Sequence, residues 1–328
     1  MISYDQQLIE AGKFINENDD FLIVSHVHPD GDTISSSLAI AYILNIMGKS
    51  YQLINQDKIP DKYNFLDMSY KFEVISSIEK KYTNLITLDI AEINRAGNIN
   101  ELLNKKVRIL NIDHHFTNDN FGEINIVMPS AAATTEVIYY LINKMGIQFD
   151  KNLATYIYTG LLTDTGGFRY SNTNSNVMRI AAEMLEYDIS PASIAEITLE
   201  TITKNYLEIL KKALSNLEIV EGLSIAWTTL TYSDLANLEE ETEGIVSYAR
   251  NIEGVEVGIF FRETSPNEYK VSLRSRNFIN VGTIAQVFGG GGHNRAAGFS
   301  YSGLLDSIKS ELLAEIKKTK EWKEFNES

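Results

Sequence analysis

The chain has 328 residues, with 44 acidic and 29 basic side chains, no cysteine and five histidines, for a formal net charge of −15. The missing cysteines exclude a disulfide framework, a Cys-ligated zinc site, an iron–sulfur cluster and a thiol nucleophile. The acidic balance excludes coating of nucleic acid by bulk charge, and an apolar fraction of 44% with 17 Tyr and 14 Phe excludes wholesale disorder. The first twenty residues lack a basic start followed by an apolar stretch, so no signal peptide is expected. The longest apolar run, Leu38–Leu44, falls far short of the ~20 residues of a membrane span. The expectation is a soluble, cytoplasmic protein of about two domains with no membrane partner.

Phe21–Val24 is a short apolar run fit for a buried parallel strand. His-Val-His-Pro-Asp-Gly-Asp follows at 26–32, then a helical stretch from Ser35 to Met47 stopped by Gly48. Leu85–Leu88 predicts a second buried strand, ending at Asp89, and Val107–Ile112 a third, ending at Asp113-His114-His115. Ala131–Met145 predicts an amphipathic helix closed by Gly146. Leu153–Leu162 predicts another, with Asp164 at its C-terminal end. This is an α/β pattern with a parallel sheet. Helical residues around Ile194–Leu217 read as a connector. Strands follow at Leu223–Leu230 and Val255–Phe261. Tyr269–Arg276 alternates, with Val271, Leu273 and Ser275 on one face and Ser272, Arg274 and Arg276 on the other. A short helix (Val281–Phe288), a glycine cluster, a short strand and a helix from Leu304 complete a smaller α+β domain. The Glu239-Glu240-Glu241 cluster reads as a solvated helix face.

Three strands thus end in acidic or imidazole groups. In an open parallel sheet the carboxyl ends of the strands share one crevice, so the three motifs converge there, with Asp164 within reach from a helix end. A lone Asp after a strand is ordinarily a cap or turn residue. Three strand-end motifs that hold four of the five histidines point instead to a site. So many carboxylates need protons or a cation. Mixed Asp and His donors without Cys favour Mn²⁺ over Mg²⁺, Fe²⁺ or Zn²⁺. The donors outnumber the needs of one ion, which points to two metals about 3.5–4 Å apart.

The set His26-Val-His-Pro-Asp-Gly-Asp32, Leu88-Asp89, Asp113-His114-His115 and Thr163-Asp164-Thr165 resembles the motifs of the DHH phosphoesterase family. Gly289-Gly-Gly-Gly-His293-Asn-Arg-Ala-Ala-Gly298 resembles the hallmark of the DHH-associated C-terminal domain. Carried over by motif position, the resemblance implies one metal on His26, Asp30 and Asp89, and a second on Asp32, Asp89, His114 and Asp164, bridged by Asp89. It implies that His115 faces the substrate phosphate rather than a metal and acts with Asp89 and Asp113, and that Asp113 orients a neighbouring metal ligand. His28 holds no ligand position. Thr33-Ile34-Ser35 stands where members often carry Ala-Ile-Gly, and only altered packing is expected there. The implied organisation is a DHH domain over 1–190, a helical linker over 191–217 and a DHH-associated domain over 218–328.

The stretch from Tyr269 to Ser300 has no acidic residue and carries Lys270, Arg274, Arg276 and Arg295, while the rest of the chain carries −19. Arg274, Arg276, His293 and Arg295 are the expected phosphate-binding side chains. Gly290, Gly291 and Gly292 let backbone N–H groups approach a ligand. Phe168 and Arg169 are candidates to line a nucleotide pocket. Within the family a two-domain chain of this length resembles the oligoribonuclease and pAp-phosphatase members (nanoRNases). The implied activity is Mn²⁺-dependent hydrolysis of short RNA or DNA to mononucleotides, and of 3′-phosphoadenosine 5′-phosphate (pAp) to AMP, by a hydroxide between two metals. Hydrolysis of pApA or cyclic di-AMP is the alternative. A non-catalytic nucleotide sensor would show a broken ligand set, and here every ligand position is filled. The sequence leaves a homodimer open.

Overall fold

Phe21–Ser25 forms β1 and is buried at all five positions, as a central strand covered on both faces must be. Phe21 and Ile23 join one core cluster, Leu22 and Val24 a second one on the opposite face. The computed structural model describes residues 3–235, 242, 244–319 and 322. The chain divides into two compact units, Met1–Thr201 and Ile202–Ser328.

The first unit contains α1 (Tyr4–Glu17), β1, α2 (Gly31–Ile46), β2 (Tyr51–Asn55), β3 (Glu73–Val74), β4 (Tyr82–Leu88), β5 (Leu103–Asp113), β6 (Ile124–Val127), α3 (Thr134–Met145), α4 (Lys151–Asp164), α5 (Ser175–Met184) and α6 (Pro191–Ala195). The strand order is β3-β2-β1-β4-β5-β6, and every pairing is parallel. The order reverses between β1 and β4, so their carboxyl ends flank the crevice where such sheets bind ligands. The three predicted strands are β1, β4 and β5.

Two helices start elsewhere than the periodicity suggests, for one reason. The Asp30 side chain caps α2 by accepting the Thr33 N–H, so that helix begins at Gly31. Ala133 is extended, so α3 begins at Thr134 rather than Ala131. In both cases an aspartate of the 26–32 motif serves a helix N-terminus, which favours anions.

The predicted connector is not one helix. α6 runs into a π-helical turn, Glu196–Glu200, closed where the Thr201 N–H and hydroxyl both donate to Glu196 O at 2.8 and 2.9 Å. Thr203 then caps a new helix, α7 (Lys204–Ser215), in the second unit. Threonine hydroxyls at this spacing compete with the helical ladder.

The second unit continues with β7 (Glu218–Val220), β8 (Ile225–Leu230), α8 (Tyr232–Leu235), α9 (Ile245–Arg250), β9 (Val257–Ser265), β10 (Glu268–Ser275), α10 (Val281–Val287), β11 (Gly291–His293), β12 (Ala296–Ser302) and α11 (Leu305–Lys318). Its sheet order is β11-β12-β10-β9-β8-β7, parallel only between β8 and β9. Along β10, Tyr269, Val271, Leu273 and Ser275 are buried, while Lys270 is exposed and Ser272 and Arg274 are half-buried, as the alternation predicts. Glu239, Glu240 and Glu241 lie outside the described residues. Among the described residues no helix is long and apolar enough to cross a membrane.

Candidate metal centre

Each motif of the first unit follows a strand or helix end. His26 comes directly after β1, and its Nδ1 lies 2.8 Å from Val27 O. A carbonyl only accepts, so Nδ1 carries a proton and Nε2 points inward, 3.3 Å from Asp89 Oδ2. His114 follows β5 with the same logic. Its Nδ1 faces Ala131 O at 3.3 Å, and its Nε2 lies 3.6 Å from Asp89 Oδ1 and 3.5 Å from Asp164 Oδ2. An imidazole that donates one N–H to a backbone carbonyl and offers the other nitrogen to carboxylates has the arrangement of a metal ligand.

Asp89 lies between them, buried, with φ at +60°. Left-handed backbone is uncommon outside glycine and is tolerated best by Asn and Asp. Its N–H donates to Ile112 O at 3.0 Å, which fixes the chain where β4 ends beside β5. Thr33 Oγ1 is 2.8 Å from its Oδ2, and Thr134 Oγ1 is 3.0 Å from its Oδ1. Asp32 is fully buried in the first turn of α2. Its carboxylate accepts from Thr134 N (2.6 Å), Thr135 N (3.0 Å) and the Thr135 hydroxyl (2.7 Å). A Cβ at Gly160 of α4 would come within 2.3 Å of Thr135 Oγ1, so the glycine lets α4 pass close and bring Asp164 to the site.

Three overlapping donor groups result: His26, Asp30 and Asp89; Asp32, His114 and Asp164; and Asp89, His114 and His115, each with donor atoms within 4.8 Å of one another. His115 is turned differently. Its Nδ1 is 2.7 Å from Oδ1 of the buried Asp113, whose Oδ2 accepts from Asn118 Nδ2 at 2.6 Å. Asp113 therefore orients His115, not one of the expected metal ligands.

Among the described residues the charges of this cluster are not balanced by arginine or lysine. The ion pairs of Asp30, Asp89, Asp113 and Asp164 are all to imidazoles. Burial works against a charged ring at His26, but the Asp89 carboxylate outweighs it and the pKa is pushed up to about 9. At His114 burial is likewise outweighed, by Asp164 and Asp89, again to about 9. Burial and then the Asp89 charge push Asp32 up to about 7, and burial pushes Asp164 well above the usual carboxylate range. Burial opposes ionisation of Asp89 as well, yet His26 beside it holds its pKa well below the ordinary value. Without a cation the cluster keeps protons on rings and carboxyls that would otherwise lose them. Buried O and N donors short of positive charge fit a divalent metal.

In the second unit the glycine cluster leads into a hairpin, with Gly291 and Gly292 in β11 paired with β12. A Cβ at Gly290 would meet Gly298 O at 2.2 Å, and one at Gly292 would meet Ala296 O at 2.5 Å. Both glycines are demanded by the hairpin itself. Gly289 and Gly291 have nothing within 4 Å of their Cβ positions, and Gly291 is the open one within β11. Arg276 lies just past β10 and donates from Nη2 to Arg250 O (3.0 Å) and Ile252 O (3.1 Å). Arg295 donates to Ile279 O at 2.9 Å, and Arg274 to Leu273 O at 3.0 Å. His293 ends β11 and is exposed.

The model of the DHH family N-terminal domain matches residues 20–161, and that of the DHHA1 domain matches residues 229–320. A bifunctional oligoribonuclease and PAP phosphatase NrnA of Thermus thermophilus is 34% identical over 299 residues, covering 90% of this chain and 88% of that protein. The chain belongs to the DHH family. A Bacillus subtilis protein of the same description is 25% identical, covering 89% of this chain and 92% of its own. The crystal structure of an exopolyphosphatase-related protein from Bacteroides fragilis superposes with a TM-score of 0.87 at 27% identity, over 95% of this chain and 96% of that one.

The structure brings His26, Asp30, Asp32, Asp89, His114, His115 and Asp164 together in one cluster, with Asp113 behind His115. One residue departs from expectation. Thr33 does more than alter packing, because its hydroxyl lies within hydrogen-bond distance of His26, Asp30 and Asp89. His28 points away from the cluster: its backbone N–H donates to Asp57 at 2.7 Å and its Nδ1 lies 3.1 Å from the same oxygen. It makes the left-handed corner of the loop, at φ +57°. Phe168 packs edge-on against Tyr158 and Arg169 donates to Gly166 O, so both stabilise the turn after α4. Thr134, Thr135, Asn118 and Gly160 support the site without standing in any motif. The one sequence signal among them is Gly160, a glycine inside an otherwise strong helix pattern.

Proposed function

We propose that this DHH-family phosphoester hydrolase uses bound divalent metal to cut short RNA or DNA oligonucleotides to mononucleotides and to remove the 3′-phosphate of pAp. The observation that carries the reading is the pair His26 and His114, each presenting Nε2 to Asp89 while Nδ1 is tied to a backbone carbonyl. The T. thermophilus relative, an oligoribonuclease and PAP phosphatase, supports the substrate class.

His26, Asp30 and Asp89 would hold one ion, and Asp32, Asp89, His114 and Asp164 a second, with Mn²⁺ the preferred metal. Bound there, such ions supply positive charge for the phosphoryl oxygens and a more acidic water. Asp113 fixes the His115 ring, which leaves Nε2 to meet a phosphoryl oxygen and to give a proton to the departing oxygen. The Asn118 amide keeps Asp113 in place while the ring works. The second unit would recognise the nucleotide end through Arg274, Arg276, His293 and Arg295, with the backbone of Gly290–Gly292 approaching phosphate most closely at Gly291.

The test is a comparison of kcat/KM on pAp, pApA, cyclic di-AMP and oligomers of 2 to 10 nucleotides, with metal removed and with Mn²⁺ restored. Metal-dependent turnover of pAp and of the shortest oligomers is expected. Turnover confined to cyclic di-AMP and pApA would move the protein to that activity, and turnover that survives complete metal removal contradicts the mechanism.

A further inference from the structure

We propose that the Thr33 hydroxyl is a positioning group for the cation held by His26, Asp30 and Asp89, and that it sets the affinity of that position. The inference rests on reading the cluster as a metal centre.

Thr33 is the third residue of α2 and is fully buried. Its backbone N–H donates to Asp30 Oδ1 at 3.0 Å, which anchors the residue at the helix start. Its Oγ1 lies 2.6 Å from His26 Nε2, 2.9 Å from Asp30 Oδ1 and 2.8 Å from Asp89 Oδ2. One hydroxyl therefore touches every donor of the group.

The hydroxyl cannot easily leave. A β-branched side chain in a helix has few χ1 choices, and turning Oγ1 outward would place the methyl group among an imidazole and two carboxylates. It has one proton to give, so it joins the donors as a link rather than satisfying each of them. Of the three donors Asp30 is the least enclosed, with 44% of its side chain exposed, against 8% for His26 and 4% for Asp89. Asp30 depends most on an anchor, and Oδ1 receives both its bonds from Thr33, one from the backbone and one from the hydroxyl. That leaves Oδ2, which lies 4.0 Å from His26 Nε2, to turn toward a cation. Groups that hold a ligating carboxylate typically contribute about 10–100-fold to metal affinity.

The second position does not depend on this hydroxyl, because the Asp89 oxygen that faces His114, Oδ1, accepts from Thr134 instead. Asp32 is held by Thr134 and Thr135. Loss of the Thr33 hydroxyl should therefore weaken one position and spare the other.

The experiment titrates metal-free wild type, Thr33→Ser, Thr33→Val and Thr33→Ala with Mn²⁺ by calorimetry, and follows free Mn²⁺ by electron paramagnetic resonance. Thr33→Val and Thr33→Ala are expected to weaken one class of site about 10–100-fold and leave the other unchanged, with Thr33→Ser restoring wild-type binding. Thr33→Ala keeps the test usable should the valine methyl prevent folding. Both variants binding like wild type, or Thr33→Ser binding as weakly as Thr33→Val, overturns the role of the hydroxyl. A wild-type protein that takes up neither Mn²⁺ nor Mg²⁺ overturns the metal centre itself.

Discussion

Gly160 of α4 lies against the Asp32 carboxylate so closely that a methyl group on it would stand 2.6 Å from Oδ1. Inside a helix, Gly→Ala ordinarily stabilises by about 0.5–1 kcal/mol. Here the new methyl must displace Thr135 or Asp32, and overpacking of that kind costs about 1–3 kcal/mol. Gly160→Ala should lower Tm and weaken Mn²⁺ binding together. A raised Tm with unchanged Mn²⁺ affinity would show that α4 can retreat without disturbing Asp32.

Asp89→Asn should remove nearly all turnover. Asparagine tolerates the left-handed backbone at this position as aspartate does, so the fold should survive. The amide has one acceptor oxygen and no charge, whereas both Asp89 oxygens face an imidazole, His26 at 3.3 Å and His114 at 3.6 Å. Elemental analysis should show metal content falling with the rate. Wild-type rates with intact metal content in this variant would sink the assignment of Asp89 as the shared ligand.

His115→Ala should keep the metal and lose roughly 10²–10⁴-fold in kcat, the usual worth of a positioned acid or base. Asp113→Asn should lower kcat by acting through the same ring, because it loses the charged partner 2.7 Å from Nδ1. His115 also shares a donor group with Asp89 and His114, so the competing assignment is concrete. Metal lost from His115→Ala would make it a ligand.

How far the site was legible depends on the range of the contacts. β1, β4 and β5 carry local signals, short apolar runs ending in Asp or His, so the aspartates and histidines at their ends were identifiable from sequence. The parallel order that brings those ends together follows from the α/β rhythm. The bonds that orient the ligands are not local. Asp32 and Thr134 are 102 residues apart, and Thr33 and Asp89 are 56 apart. A threonine at a helix start looks the same in sequence whether its hydroxyl caps the helix or reaches across to another strand. The connector is interrupted for a related reason: Thr201 and Thr203 break the helical ladder with their own hydrogen bonds.

Arg274→Ala and Arg276→Ala should both raise KM for pAp with little change in kcat, and Arg276→Ala should also lower stability. Arg276 ties the carbonyls of Arg250 and Ile252, so its removal leaves two acceptors to solvent and should cost about 1 kcal/mol. Arg274 donates to the adjacent Leu273 carbonyl. An unchanged KM in both variants would leave the two arginines as structural residues.

Metal removal should make stability fall as pH rises. His26 and His114 have folded pKa values raised to about 9 from an ordinary 6.5. Groups raised in this way stabilise fully below their unfolded pKa and lose that contribution as pH rises through the folded value. Asp32, raised to about 7 from 3.8, has the same sign over a lower window. Asp89, depressed, contributes above the ordinary carboxylate pKa and is lost only in acid. Chelated protein should therefore lose Tm steadily between pH 6.5 and 9. A bound cation takes the place of the protons, so Mn²⁺-loaded protein should show a flatter profile. For the same reason Mn²⁺ binding at pH 7 should release protons, and its calorimetric heat should change with the ionisation enthalpy of the buffer. Equal Tm profiles with and without metal, together with buffer-independent heats, would mean that the cluster does not hold these protons in the metal-free state.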